Sequence, residues 1–147
     1  MKKTTNHLED LLHDALDFIA SVSDKKLSIK PTPEKWSKKE VLGHLIDSAI
    51  NNLQRFTEIQ FSEKPFVIKR YGQDALVKAN AYQQADLNEL FDLWLCLNER
   101  ITTIMKAQTE DSLAFEIVLP DGEKSDLKYL MEDYVVHLEH HLKQVMA

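Results

Sequence analysis

The chain carries six histidines, and three of them fall within five positions near its end, in "DYVVHLEHHLKQV", Asp133–Val145. Imidazole is the commonest protein ligand for transition metals and the side chain that most readily exchanges a proton near neutral pH. Such a concentration therefore raises metal binding or proton transfer. Spacing sorts the three. Residues four apart on a helix are displaced by only about 40° around its axis. His137 and His141 thus share a face and can reach one ion together. The apolar stripe of this segment runs through Leu127, Leu130, Met131, Tyr134, Leu138, Leu142 and Val145. His141 falls inside one side of that stripe, His137 at its margin and His140 outside it. The same spacing also fits two partly exposed polar residues.

A metal site needs a third ligand. His7 and His13 lie on an early periodic segment, and His44 lies in "WSKKEVLGHLIDSAINNLQRF". On a helical wheel His44 joins Ser48, Asn51 and Arg55 in a polar strip beside the apolar face. Asp47, one turn on, is placed to hold the second ring nitrogen of His44 by a hydrogen bond, or to act as a general base on an activated water. A polar strip is equally what the solvent face of a bundle helix looks like, so the wheel leaves the direction of His44 open. Arg55 suits either an anionic substrate group or, as the plainer expectation, a salt bridge to an acid on a neighbouring helix. Trp36 reads as packing at the entry of its helix, Cys96 as a small buried residue, and Tyr134 as core or pocket wall.

The elements that must position these groups are helices. Leu8, Leu11, Leu12, Leu16 and Ile19 recur at helical spacing over Thr5–Val22. Pro31 and Pro33 then interrupt. Ser37 followed by Glu40 forms a capping box, which starts a second helix running to about Phe61. The stretch 62–80 is a long connection with a helical turn expected at Asp74–Lys78, and loops of that length are often functional. Tyr71, Gln73 and Asp74 within it are expected to overhang the bundle end. A third helix is expected over Gln84–Lys106. "LAFEIVLPDGEK" has strand composition and a Pro-Asp-Gly turn, predicting a short extended excursion. Ser125 is the expected N-cap of a fourth helix reaching Val145.

Composition narrows the classes. The chain has 147 residues, 44% hydrophobic and 29% charged, with only 3 Gly and 4 Pro. That predicts one all-α domain over residues 1–147, a four-helix bundle. A net charge of −6 argues against nucleic acid or an anionic membrane as partner. No apolar run reaches transmembrane length. The single cysteine fits a reducing compartment. A cytoplasmic protein is expected.

"WSKKEVLGHLIDSAINNLQRF" resembles the second helix of the DinB/YfiT-like superfamily, including the tryptophan and capping serine ahead of it. "SDLKYLMEDYVVHLEHHLKQV" is similar to that family's last helix with its H-x-x-x-H pair, and "YGQDALVKANAYQQADLNELFDLW" also resembles its members. The resemblance runs from about Pro31 onward. It implies the family's up-down-down-up bundle and a divalent metal, often nickel or zinc, held by three histidines. Carried over residue by residue, these are His44, His137 and His141. Family activities include transfer or isomerisation with low-molecular-weight thiols such as bacillithiol or mycothiol; other members are proposed metal-dependent hydrolases. The expectation is a metal-dependent enzyme that either transfers a small thiol to an electrophile or hydrolyses a small substrate. The other reading is a non-catalytic metal-binding or dimerising module, and a homodimer suits either.

Overall fold

The computed structural model describes all 147 residues. Four long helices dominate it: α1 (Lys2–Ile19), α3 (Lys38–Glu58), α5 (Leu87–Lys106) and α7 (Leu127–Met146). Three short helices, α2 (Asp24–Leu27), α4 (Gln73–Ala79) and α6 (Glu110–Leu113), and one 3-10 turn (Tyr82–Gln84) lie in the connections.

Local chemistry explains the boundaries. The Ser37 hydroxyl accepts from the Glu40 amide at 3.1 Å, and the Glu40 carboxylate accepts from the Ser37 amide at 2.8 Å, so the expected capping box starts α3. The first helix stops at Ile19 rather than continuing to Val22, because Ser23 already caps the next short helix. The third begins at Leu87, later than expected, because the Asp86 side chain takes the Glu89 amide. Asp126, not Ser125, caps the last helix by accepting from Tyr129 N at 2.8 Å. Ser125 instead pairs in a strand.

In the bundle α3 packs against α5 and α7, and α1 packs against the same two. α3 and α5 are adjacent, and the long connection between them returns the chain so that the order is up-down-down-up. The fully buried core includes Leu8, Leu45, Ile46, Phe56, Trp94, Ile101 and Met105. No helix is long and apolar enough to cross a membrane.

The expected extended excursion exists and is larger than predicted. β2 (Glu116–Val118) pairs antiparallel with β3 (Lys124–Asp126) around a turn in which Gly122 takes φ +88°. The sequence reading did not foresee β1 (Phe66–Val67), drawn from the long connection to pair in parallel with β2, Phe66 opposite Ile117. This small sheet ties that connection to the start of α7, and both flank the cleft described next.

Candidate metal centre

α3 and α7 are neighbours, and they turn His44, His137 and His141 toward one point. One ring nitrogen from each lies within 4.8 Å of the others. His44 Nε2 and His137 Nε2 are 3.2 Å apart. Two imidazole nitrogens bound tetrahedrally to one zinc-sized ion stand about 3.3 Å apart, given metal–nitrogen distances near 2.0–2.1 Å. The rings meet edge to face, with centroids 5.1, 4.7 and 4.5 Å apart. His140 is exposed and lies outside the cluster. His7 is far from it in role, bonded to Glu139 at 2.9 Å.

The cluster is electrostatically prepared for a cation. Burial, then the neighbouring His137 and His141, lowers the pKa of His44 to about 4. Burial, then His141 and His140, lowers that of His137 to about 4. Both are therefore neutral at physiological pH, the form that ligates metals. His44 is completely buried, and its Nδ1 has no hydrogen-bond partner in the protein. A set of convergent neutral imidazoles fits a borderline divalent ion better than a hard one.

The polar strip of α3 faces inward at His44 and Ser48, while Asn51 and Arg55 are partly exposed. Ser48, Asp47 and Asn52 are all buried alongside His44. Asp47 does not bond to His44 as its spacing suggested. Its Oδ1 accepts from the Tyr82 hydroxyl at 2.6 Å and from Asn80 Nδ2 at 3.0 Å, while Oδ2 is buried without a partner. Burial outweighs those two bonds and raises its pKa above the usual carboxylate value. Tyr82 reaches Asp47 because Gly43 leaves room: a Cβ at Gly43 would lie 2.2 Å from Tyr82 Cδ2. A glycine in mid-helix directly before His44 was the one sequence signal for this approach.

Trp36 does more than pack at the helix entry. Its ring lies on His44, centroids 5.2 Å apart and planes 32° apart. Arg55 makes no salt bridge to a neighbouring helix, contrary to expectation; its guanidinium meets the Lys69 carbonyl and the Tyr71 ring instead. Tyr134 is both core and wall, donating its hydroxyl to Asn98 Oδ1 at 2.7 Å. Cys96 is exposed, not buried. His137, alone of the three, also lines a cleft of about 460 Å³ whose other walls include Asp133, Tyr134, Arg55, Arg70 and Tyr71. Tyr71 and Gln73 of the long connection do reach this cleft, whereas Asp74 lines a different one.

The description of the DinB superfamily fits residues 7–145 of this sequence. The chain belongs to the DinB superfamily. Among curated members of similar sequence are two proteins whose names read "Putative metal-dependent hydrolase". BH0277 of Halalkalibacterium halodurans is 24% identical over 125 residues, spanning 85% of this chain and 72% of that protein. YfiT of Bacillus subtilis is 23% identical over 139 residues, spanning 94% and 78%. The solved structure of YfiT, described as having an unusual four-helix bundle topology, superposes with a TM-score of 0.84, covering 98% of this chain and 82% of that one. A mutant of the mycothiol-dependent maleylpyruvate isomerase superposes with a TM-score of 0.77 at 10% identity, covering 98% of this chain and 60% of that one. The DinB bundle of this chain is thus shared with proteins of very different sequence, and at such identities the likeness speaks for the fold alone.

Proposed function

We propose that the protein is a metal-dependent enzyme in which His44, His137 and His141 hold one divalent ion, nickel or zinc, at the head of the cleft. The observation that carries this is the convergence of three imidazoles within 4.8 Å, two of them held neutral by burial. Three protein ligands suit a catalytic ion, since structural sites usually close with four. The ion supplies Lewis acidity toward a water or a thiol.

The chain's own residues do the rest. Asp133 is the only carboxylate lining the cleft and lies one helical turn before His137. Its carboxylate oxygen accepts the proton that the water or thiol gives up. Asp47 is buried, holds Tyr82 and Asn80 through Oδ1 and does not line the cleft, so it positions α3 behind His44 rather than serving as the base. The cleft volume suits a small molecule. Hydrolysis draws support from the names of the curated relatives, and thiol transfer from the mycothiol-dependent neighbour. Both place an activated nucleophile beside His137. We take residues 1–147 as one folding unit that works in the cytoplasm.

The test compares metal-loaded protein, chelated protein and His137→Ala. Each is assayed for consumption of bacillithiol or mycothiol with a small electrophile, and for ester and amide hydrolysis. One activity present only in the loaded wild type is expected. Stoichiometric metal with no turnover in either assay would contradict the enzyme and leave a non-catalytic metal-binding module.

A homodimer is supported by one observation. Ile50 on α3, Phe61 just beyond its end and Leu93 on α5 are 45%, 75% and 44% exposed. Sedimentation equilibrium checks it: a dimer that Phe61→Lys dissociates is expected, and a monomer at all concentrations would contradict it.

A further inference from the structure

The cleft beyond His137 contains two guanidinium groups that the protein does not pair. Arg55 sits on α3 and Arg70 in the connection after β1, and both line the cleft. Neither takes part in any of the protein's ion pairs. Arg55 is half-buried. It donates to the Lys69 carbonyl and, at the long distance of 3.5 Å, to Asn52 Oδ1, and it lies over the Tyr71 ring at 5.4 Å. A guanidinium carries five N–H donors in a planar fork, so most of this one's capacity is unspent. Burial disfavours its charge, and an anion in the cleft would offset that cost.

The charges select the anion. Two arginines and one carboxylate, Asp133, line the cleft. The lining side chains therefore carry a positive surplus, which calls for an anion. A planar carboxylate also matches the guanidinium fork with two parallel bonds. Ile68, Leu119 and Leu130 supply apolar wall, and Ser48 and Asn52 of α3 supply polar wall between His44 and Arg55. Arg55 follows His44 by eleven residues, so at 1.5 Å per residue their Cα atoms are separated by about 16 Å along α3. The anion is therefore held several bonds away from the reacting end.

We propose that Arg55, with Arg70 lining the same cleft, binds the carboxylate of a small organic-acid substrate whose other end lies toward His137. The assignment of substrate class rests on the metal-centre reading above. Arg55 anchors and orients; it does not touch the reacting atoms. Its binding energy comes from the remote end of the substrate and goes into placement of the near end.

Zinc-loaded protein, with its metal content measured, is titrated by NMR with hexanoate and with its neutral isostere hexanamide. Hexanoate is expected to perturb cleft resonances and to bind at least about tenfold more tightly than hexanamide, the scale of one charge-assisted bidentate contact. Arg55→Gln should erase that preference. Arg55→Lys, which keeps the charge and spares the fold, should weaken hexanoate several-fold, and Arg70→Gln should weaken it less than Arg55→Gln. Hexanoate binding unchanged in Arg55→Gln but lost on chelation would place the carboxylate on the metal and overturn the proposal. Tighter binding of inorganic phosphate through Arg55 would overturn the carboxylate assignment. Arg55-dependent hexanoate binding in protein that takes up no zinc would sustain the anion site while sinking the metal reading, so the two failures are separable.

Discussion

The ring of Tyr82 occupies the space that a side chain at position 43 would fill, with Cδ2 2.2 Å and Cγ 2.3 Å from where a Cβ on Gly43 would stand. The contact lies one residue from His44, so the helix that presents the imidazole is fixed by the absence of a side chain beside it. Those ring atoms are close to the Tyr82 backbone and cannot swing aside. Gly43→Ala therefore overpacks the site at a cost of about 1–3 kcal/mol. That outweighs the gain of at most about 1 kcal/mol that alanine brings to a helix interior. Urea unfolding should show a lower midpoint for the variant; equal or greater stability would mean that Tyr82 yields freely.

Removing the hydroxyl tests the same contact from the other side. Tyr82→Phe leaves Asp47 Oδ1 with Asn80 alone and Oδ2 still unpartnered. Loss of a short bond to a buried carboxylate should destabilise by about 1–3 kcal/mol. Because that bond favours the charged form, the pKa of Asp47, already raised by burial, should rise further. A carboxyl-carbon NMR titration reads it directly. An unchanged Asp47 titration in the variant would remove Tyr82 from this role.

Trp36 holds the face of His44, whose Nδ1 has no hydrogen bond to fix the ring. Stacking thus takes the orienting part that a hydrogen bond commonly plays behind a metal-ligating histidine. Trp36→Ala should weaken zinc binding by about tenfold or more while leaving the stoichiometry at one. Competition titration against a chromophoric chelator measures this, and unchanged affinity would reduce Trp36 to packing.

The lowered pKa values of His44 and His137, about 4 against an ordinary 6.5, make stability depend on pH. Between those values the unfolded chain binds more protons than the folded one, so stability rises with pH across the window and falls as acid is added. Asp47 works in the opposite sense: its raised pKa adds stability at low pH that is lost as pH rises through the folded value. The histidine contribution is isolated by difference. Metal-free His137→Gln should lose less stability than wild type between about pH 6.5 and 4.5. Equal slopes would show that His137 titrates normally in the folded state.

Much of this arrangement was legible in the sequence, because it rests on local rules. Four apolar stripes at helical period, the Ser37–Glu40 box and the His137–His141 spacing each act within one or two turns. The separation of His140 from the pair follows from the same wheel. What was hidden depends on contacts between distant segments. Whether His44 pointed inward turned on which helices neighbour α3. The partners of Asp47 come from Asn80 and Tyr82, more than thirty positions away. β1 exists only because β2 is there to pair with it, since a two-residue strand has no signature of its own. Arg55 was read as a structural ion pair because that is the common fate of a bundle arginine; no acid comes within reach of it, and the cleft does.

The central claim is that the three imidazoles form one metal site. Elemental mass spectrometry on untagged protein, prepared without chelator and reconstituted with nickel or zinc, tests it beside His44→Ala and His137→Ala. The account predicts close to one equivalent of metal in the wild type and loss of it in both variants, with helicity largely retained. Full occupancy in either variant, or none in the reconstituted wild type, would contradict it.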